Sequence, residues 1–409
     1  MHNFHQNTLL ILLALSFSLT VGKANSETVK IYVDADMSHL KAAGESIVLG
    51  LNAALAQSEN KLGGHDVEVV VLDHRRNSRR STKNIQQAAA DPQTLCIIGG
   101  VHSPCILANR ELINQSKIPF LVPWAAAGPI TRAPIEQENW IFRCSLDDSI
   151  AAGYLVEHAI KQRGGKRPFL LLEDTAWGHT NEAGLAVALE KHGRRPAGIA
   201  LFPWSLTEAA ANDYAQRVFN SGADSVILVA NSPEGAQLCN ALASSPKKLQ
   251  ITSHWGIIAG DFPTEVNHQN RSTLDIHFIH TRFSFLSYPN DARGLKALKF
   301  AKLETASQLP APVGFIHAYD LGLLLTAAAD QAQHIGDPQA DRLALRKALE
   351  NLSNPVEGLV KNYRTPFSSY SSTRPDAHEA LNSDDFSMAY FREDGQVSVL
   401  DPKPTYERN

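Results

Sequence analysis

The tryptophans are the side chains in this sequence that are best placed to contact a ligand. Three of the five in the 409-residue chain lie shortly after segments with the apolar, β-branched character of strands, and they are Trp124, Trp177 and Trp255. An indole ring offers a flat apolar face and one N–H donor, which suits the binding of a small molecule. One such Trp is more typical of a buried core, but three at matching positions predict a cleft lined by aromatic side chains. We interpret the other two, Trp140 and Trp204, as structural.

Two loops near these residues add polar groups and small side chains. Ser103 is followed by Pro104, which is typical of an N-cap and the first position of a helix, and its hydroxyl and the nearby N–H groups suit a ligand carboxylate. Residues 125–127, after Trp124, are all alanine and would let a ligand reach the backbone amides. Neither loop has the pattern of a phosphate-binding loop or of a hydrolase nucleophile elbow.

No combination of side chains indicates catalysis, a metal or a cofactor. The sequence has no carboxylate pair with a base and no Cys–His arrangement, and His277 and His280 would lie on opposite faces of a strand. We interpret the arginines at positions 75, 76, 79 and 80 as a solvated surface. The sequence therefore predicts a protein that is not an enzyme and has no cofactor and no metal.

Charge and cysteine content narrow the class further. The chain has 38 Lys+Arg against 42 Asp+Glu, so it lacks the basic excess expected of a nucleic-acid-binding protein. Four scattered cysteines are too few for a disulfide scaffold, although an exported protein could pair some of them. The sequence does not choose a pairing among Cys96, Cys105, Cys144 and Cys239.

The N-terminal segment predicts export. Residues 9–19 are free of charge, and at about 1.5 Å per residue this stretch is too short to cross a hydrocarbon layer of about 30 Å. Its length suits the apolar region of a signal peptide, with Gly22 and Ala24 as the small residues of a cleavage site. We expect cleavage near Ala24 and a periplasmic chain without a lipid anchor, since no Cys follows. We expect no later segment of transmembrane length.

Apolar β-branched runs alternate with amphipathic segments through most of the mature chain. Strand-like runs lie at 29–34, 67–73, 95–99 and 120–122, and the alternation restarts near residue 140. This pattern predicts βα units on parallel sheets, with more strands than one sheet would hold, and therefore two α/β lobes. Ligands of such sheets bind beyond the carboxyl ends of the strands, where Ser103 and the three Trp residues are expected.

Short motifs over nearly the whole mature chain carry a family likeness. They are the segments 50–55, 63–64, 98–100 with Ser103, 118–120, 141–143, 173–174, 177–178, 213–214, 222–224, 229–235 and 319–320. In order and spacing they resemble the type I periplasmic solute-binding proteins, in the branch of the leucine/isoleucine/valine and amide binders of ABC transporters.

The resemblance implies a fold and a division of the chain. The fold is α/β, with two Rossmann-like lobes whose parallel central sheets are joined by a crossing-strand hinge and close on a solute. Residues 1–24 would be the signal peptide, residues 25–146 plus 277–350 the first lobe, and residues 147–276 plus 351–409 the second.

The resemblance also implies a set of ligand-binding residues. The first-lobe grip on a carboxylate is matched by the Ser103 hydroxyl and the amides of Trp124, Ala125 and Ala126. The second-lobe contacts are matched by Trp177, Asn231, Ser232 and Trp255. Amino-acid binders tend to have Thr in place of Ala126, and in place of Trp255 a Glu that pairs with the α-amino group. Loss of that charge-assisted bond disfavours a branched-chain amino acid and favours an aromatic, amide or carboxylate solute.

The resemblance leaves two functions open. The first is capture of a small organic solute for an ABC permease of the inner membrane, by a monomer with no nucleic-acid partner. The alternative is a periplasmic sensory receptor of the same fold that reports ligand occupancy to a membrane partner such as a sensor kinase.

Overall fold

The computed structural model describes residues 28–132, 138–245, 248–332 and 336–401. The predicted signal peptide, residues 1–24, lies outside the described residues. Two large α/β sheets organise the described chain, as the alternation of strand-like and helical segments predicts.

The first sheet is built from the N-terminal part of the chain. Its elements are β1 (Val29–Ala35), α1 (Lys41–Ala56), β2 (Lys61–Leu62), β3 (His65–Asp73), α2 (Ser78–Ala90), β4 (Thr94–Gly99), α3 (Ser103–Leu107), α4 (Arg110–Ser116), β5 (Phe120–Val122) and β6 (Ile141–Arg143). The strand order is β2-β3-β1-β4-β5-β6, and all neighbours are parallel except β2 and β3. Every residue of β4 is buried, which is typical of a parallel strand covered on both faces.

The chain then crosses to the second sheet. The elements there are α5 (Asp148–Glu157) with a π-helical turn (His158–Gln162), β7 (Pro168–Glu173), α6 (Ala176–Lys191), β8 (Gly198–Phe202), α7 (Glu208–Asn220), β9 (Ser225–Val229), α8 (Ser232–Leu242), β10 (Leu249–Ser253), α9 (Phe262–Glu265), α10 (His268–Thr273) and β11 (Leu274–Thr281). The strands β8, β7, β9, β10 and β11 are parallel neighbours in that order.

The remaining elements return to the first lobe and end in the second. They are α11 (Ala292–Phe300), α12 (Pro312–Gln331), α13 (Pro338–Glu350), β12 (Val356–Glu357), β13 (Asn362–Tyr363), β14 (Phe386–Phe391) and β15 (Val397–Val399). Strand β14 pairs antiparallel with β11, and β15 extends that edge. Single 3₁₀ turns lie at Gly128–Ile130, Trp255–Ile258, Ala306–Gln308 and Ser383–Asp385.

Sheet pairing and one buried carboxylate describe the chain near the predicted lobe boundaries at residues 277 and 350. The boundary at residue 277 falls inside β11, whose residues up to Thr281 pair with β14 of the second sheet. Residues after 350 do not pass directly into the second lobe, because the Asp320 carboxylate of α12 accepts the N–H groups of Leu359 and Val360 at 2.6 and 2.9 Å. The chain rejoins the second sheet only at Phe386.

Close packing of α1 and α12 depends on two glycines. A Cβ at Gly50 would lie 2.4 Å from the Phe315 carbonyl oxygen, and one at Gly322 would lie 2.6 Å from Cβ of Ala54. Among the described helices, α12 alone has the length and apolar content of a membrane span, and 78% of its apolar stretch is buried in the protein. This helix corrects the expectation that no later segment has that length, and its burial is that of a core helix.

The four cysteines are free and buried, so none of the possible disulfides is formed in this structure. Burial raises the pKa of Cys105 and of Cys239 to about 12. Thiols with such a pKa are poor nucleophiles, because the reactive species is the thiolate.

Candidate functional site

A narrow cavity lies between the two lobes, at the carboxyl ends of the strands. Its lining residues are Val101, His102, Ser103, Pro104, Trp124 and Ala126 from the first lobe and Trp177, Asn231, Trp255 and Gly256 from the second. Every one of these residues lies in a loop or first helical turn just after β4, β5, β7, β9 or β10. The strand ends of two sheets therefore meet at one site, as expected for open α/β sheets.

The structure brings six of the eight predicted site residues together around this cavity. They are Ser103, Trp124, Ala126, Trp177, Asn231 and Trp255. The other two are buried beside it. The carbonyl of Ala125 accepts from the hydroxyl of Ser145 at 3.2 Å, and the hydroxyl of Ser232 donates to Glu265 at 3.3 Å. The Ala125 carbonyl and the Ser232 hydroxyl thus make contacts within the protein behind the cavity wall.

Aromatic rings from opposite lobes form the walls of the cavity. The Trp124 and Trp255 ring centroids are 6.2 Å apart and the rings are tilted by 59°. Trp255 also lies 5.2 Å from the His317 ring, measured between centroids. The space between the walls is narrow, and the walls offer aromatic faces to a small flat molecule.

Ser103 and the loop after β5 form the polar end of the first-lobe wall. The Ser103 hydroxyl oxygen accepts from the N–H of Ala127 at 3.2 Å, which leaves the hydroxyl proton available to a ligand acceptor. Arg143 supports this loop from below, because its Nη1 donates to the carbonyls of Ala126 and Ala127 at 3.0 Å each. The backbone around the predicted carboxylate grip is thereby held in one conformation.

The same arginine belongs to a buried ion cluster at the crossing between the lobes. Nη2 of Arg143 pairs with Asp147 and, at 2.8 Å, with Glu379, and Arg132 pairs with Glu379 at 2.6 Å. Burial opposes ionisation of Glu379, but Arg143 and Arg132 outweigh it and lower its pKa to about 2. Glu379 also forms an isolated parallel bridge with Arg143, so this hinge cluster ties the segment between β13 and β14 to the loop behind Trp124.

A buried carboxylate orients the second-lobe wall. Asp148, at the start of α5, accepts from the indole N–H of Trp177 at 3.4 Å and from Asn181 at 2.9 Å. Its Oδ1 also lies 3.0 Å from Nε2 of His254, whose ring stands perpendicular to that of Trp177. Trp177 is therefore fixed by its N–H and presents the ring rather than the donor to a ligand.

His102 lies in the first-lobe wall next to Ser103, and the sequence analysis assigned it no role. Its Nε2 is 3.0 Å from the Asp36 carboxylate, which also accepts the N–H groups of Ser38, His39 and Leu40. These hydrogen bonds outweigh burial and hold the pKa of Asp36 well below its usual range. Burial lowers the pKa of His102 to about 4. The signal that could have identified His102 was its position directly before the predicted N-cap.

A second cluster joins the lobes beside the cavity and corrects the interpretation of Arg76 as solvated surface. Arg76 of the first lobe pairs with Glu234 of α8 at 3.0 Å, and its guanidinium lies 4.6 Å from the centre of the Trp204 ring. Its side chain is 9% exposed, so it is not part of a solvated surface. Trp204 packs between the lobes, because its ring stacks on Arg76 of the first lobe.

Asn231 is positioned by a buried carboxylate in the same cluster. Both its backbone N–H and its side-chain amide donate to Oε1 of Glu173 at 2.8 Å, and the Trp204 indole donates to Oε2 of Glu173 at 2.8 Å. Burial, and then the charge of Glu234, raise the pKa of Glu173 to about 7. Glu173 thus links the loop that lines the cavity to the aromatic ring at the lobe interface.

The residues that line the cavity offer apolar surface and neutral polar groups. None of the lining residues within the described chain carries a carboxylate, and Trp255 is 1% exposed at the position predicted to replace a ligand-pairing Glu. Among the described residues, no group of three or more His, Cys, Asp or Glu side chains could hold a metal ion. The arrangement can bind a molecule between aromatic faces and hydrogen-bond its polar groups.

Solved structures of other proteins share this architecture. The chain is similar to a solute-binding protein of an ABC transporter from Rhodopseudomonas palustris HaA2 in complex with p-hydroxybenzoic acid, with a TM-score of 0.74, 19% identity and coverage of 91% of this chain and 95% of that one. It is also similar to a leucine-binding protein from Thermotoga maritima, with a TM-score of 0.72, 17% identity and coverage of 91% and 97%. At this identity the likeness shows the fold: two lobes of the type I periplasmic binding protein.

The sequence comparisons agree with the fold. Over 216 residues the chain is 25% identical to Leu/Ile/Val-binding protein homolog 6 of Brucella abortus, which is 51% of this chain and 53% of that protein. The match thus spans about half the length of this curated relative.

A family model described as "Periplasmic binding protein" matches residues 32–382. The family is thus one of periplasmic binding proteins, and the two compared structures are a solute-binding protein and a leucine-binding protein. The chain belongs to the periplasmic binding protein family, with the type I fold of the Leu/Ile/Val-binding-like solute receptors of ABC transporters.

Proposed function

We propose that this protein captures a small aromatic carboxylate between its two lobes and delivers it to an ABC-type importer. One observation carries the proposal: Trp124 and Trp255, from opposite lobes, lie with their ring centroids 6.2 Å apart in a cavity whose described lining residues include no acidic side chain. A planar ring that packs against these indoles as the lobes close would bury its apolar surface, and closure would follow because the ligand favours the closed state.

The polar groups of the site support a carboxylate as the ligand's anionic end. The hydroxyl proton of Ser103 is available, and among the described residues no side chain or carbonyl accepts from the indole N–H of Trp124. Both groups are donors, and donors stabilise an anion that has left water. A ligand carboxylate at this end of the cavity would satisfy them.

The same cavity disfavours an α-amino acid. An α-ammonium group enclosed here would have no carboxylate among the described lining residues, and an unpaired buried charge costs several kcal/mol, of order 3 or more. Leucine, which the Thermotoga maritima protein is named for binding, is therefore not the solute we propose. The aromatic acid in the Rhodopseudomonas palustris complex is closer to the chemistry of this cavity.

Export, oligomeric state and transport in the cell complete the proposal. The mature chain would begin near residue 25 after removal of the N-terminal signal peptide. It would act as a monomer, bind without chemical turnover and dock on the permease of an importer in the inner membrane. Loss of uptake of the radiolabelled solute in cells that lack this gene, restored by the wild-type gene, would test the transport role.

A thermal-shift screen tests the ligand class. The purified protein would be heated with benzoate, 4-hydroxybenzoate, phenylacetate, leucine, valine, aliphatic amides and succinate. A ligand that binds only the folded protein raises its free energy of unfolding, by about 2.7 kcal/mol at a hundredfold excess over Kd. The melting temperature rises accordingly. We expect the aromatic acids to stabilise the protein. Strong stabilisation by leucine or valine, with none by aromatic acids, would contradict the proposal.

A further inference from the structure

Two buried polar atoms in the first-lobe wall of the cavity are without a partner among the described residues. They are Nδ1 of His102 and Nε1 of Trp124. Both residues line the cavity, and they are 2% and 1% exposed. A buried polar group without a hydrogen bond is costly, of order 1–3 kcal/mol, so an unpartnered atom on a residue that lines the cavity is a candidate for a hydrogen bond with the ligand.

Asp36 decides which hydrogen-bonding role is left to His102. Its carboxylate accepts three backbone N–H groups and lies 3.0 Å from Nε2 of His102. With Asp36 ionised, Nε2 carries the proton and donates it to the carboxylate, and we assign that tautomer. Because burial lowers the pKa of the ring to about 4, His102 is neutral at pH 7. Its Nδ1 is then a lone pair that accepts hydrogen bonds.

The indole nitrogen of Trp124 needs an acceptor rather than a donor. An indole N–H can only donate, so Nε1 of Trp124 needs an acceptor. The Ser103 hydroxyl, between His102 and the Trp124 loop in the cavity wall, also has its proton to donate. One wall of the cavity thus combines two donors with one fixed acceptor.

We propose that the solute is a hydroxylated or aminated aromatic acid, whose carboxylate accepts from Trp124 and Ser103 and whose O–H or N–H donates to Nδ1 of His102. This inference rests on the proposed function and narrows it, because an unsubstituted aromatic acid would leave the histidine lone pair unsatisfied. His102 is then the residue that distinguishes a donor-bearing ring from a bare one, and Asp36 is the positioning residue that keeps it an acceptor.

Calorimetric titration of the wild-type protein with matched ligands tests this directly. The set is benzoate, the 3- and 4-hydroxybenzoates, the 3- and 4-aminobenzoates and the 3- and 4-fluorobenzoates, since fluorine is close to a hydroxyl in size but carries no proton. At least one hydroxy or amino isomer should bind about tenfold or more tightly than its fluoro counterpart, as expected when a buried acceptor is left unpaired. Equal affinities would overturn the inference and leave the proposed function intact. Binding of none of the set would overturn both.

Two variants assign the preference to His102. His102→Phe removes the acceptor and should bring the hydroxy and fluoro affinities within about twofold of each other. His317→Phe is the matched control, because His317 is also buried with an unpartnered ring nitrogen and touches Trp255, yet it is not a lining residue. It should keep the tenfold preference. A preference that persists in the His102→Phe protein, or that is lost equally in both variants, contradicts the assignment.

A third variant should turn Nδ1 of His102 from an acceptor into a donor and keep the imidazole ring. In Asp36→Asn the side-chain amide can donate to Nε2, so the proton moves to Nδ1 and that atom becomes a donor. The preference should then shift toward acceptor-bearing rings, measured with 4-methoxybenzoate and 4-formylbenzoate against 4-hydroxybenzoate. An unchanged preference in a folded Asp36→Asn protein would contradict the role assigned to Asp36. The wild-type titration decides the inference if this variant does not fold.

Discussion

Arg76 of the first lobe and Glu234 of the second form a buried ion pair, with 3.0 Å between Nη2 and Oε1. Glu234 also accepts the N–H of Ser205 at 2.9 Å, and the arginine stacks on Trp204 at 4.6 Å. The pair spans the lobe interface close to the cavity, so its contacts exist only while the lobes are closed. Closure therefore has a stabilising contact of its own, separate from the ligand.

Removal of Arg76 should favour the open form. In Arg76→Ala, Glu234 would be left buried without its cation in the closed state, whereas opening would return it to water. We expect a larger radius of gyration in small-angle X-ray scattering without ligand and an affinity for the solute about tenfold lower. Arg75→Ala is the matched control, because that neighbour pairs with Asp73 and its side chain is 55% exposed. Equal scattering curves for wild type and Arg76→Ala would show that the pair does not hold the lobes together.

The hinge cluster predicts a loss of stability in acid. The pKa of Glu379 is lowered to about 2, so its ionised form stabilises the folded protein at neutral pH. This contribution is complete above the unfolded pKa of about 4.3 and is lost as the pH falls through that of the folded state. Glu379→Gln should therefore lower stability at pH 7 by about 3 kcal/mol, since it leaves Arg143 buried with one carboxylate fewer.

Denaturant unfolding at several pH values provides the measurement for Glu379. The difference between wild type and Glu379→Gln should be largest at pH 6–7 and should shrink as the pH falls below about 4. Glu182→Gln serves as the control, because that residue lies on α6 with a third of its side chain exposed and has a distant ion pair with His179 at 3.8 Å. A difference that is constant over the whole range would mean that the Glu379 charge does not contribute to stability.

The indole N–H of Trp124 should contribute to affinity independently of its ring. Trp124→Phe keeps a flat apolar face but removes the donor, and a lost bond to a carboxylate weakens binding by about tenfold or more. Trp140→Phe is the comparison, because Trp140 is also buried in the first lobe but stacks on Arg346 away from the cavity. The titrations should show normal affinity for Trp140→Phe. Normal affinity for Trp124→Phe would remove this donor from the site.

The four thiols should not react with thiol reagents in the native protein. All are buried and free, and burial raises the pKa of each. A thiol reagent should label none of them at pH 8 until denaturant is added, after which all four should react. Dithiothreitol should leave the melting temperature unchanged. A drop in melting temperature on reduction would reveal a disulfide in the isolated protein.

Local sequence patterns predicted the fold and most of the cavity wall. The β-branched runs identified the parallel strands, and the rule that ligands lie at strand ends located Ser103, Trp124, Trp177 and Trp255. The resemblance added Asn231 and Ala126. These residues could be predicted because each role follows from its position after a strand.

The interactions that the sequence did not indicate are those between distant parts of the chain. His102 is 66 positions from Asp36, and nothing in the local pattern shows that a carboxylate fixes its proton. Arg76 is 158 positions from Glu234, and its arginine-rich surroundings look like solvated surface until the lobes are placed together. Residue 277 lies inside β11, and the pairing of that strand with β14, more than 100 positions later, has no local signal in the sequence.

A direct comparison of 4-hydroxybenzoate and leucine tests the central claim that the cavity holds an aromatic acid and not an amino acid. Each would be titrated calorimetrically into the wild-type protein, and then each into the protein saturated with the other. We predict binding of 4-hydroxybenzoate with a Kd of about 1 µM or below, equivalent to about −8 kcal/mol, and no measurable heat from leucine. Tight binding of leucine that 4-hydroxybenzoate does not displace would contradict the account.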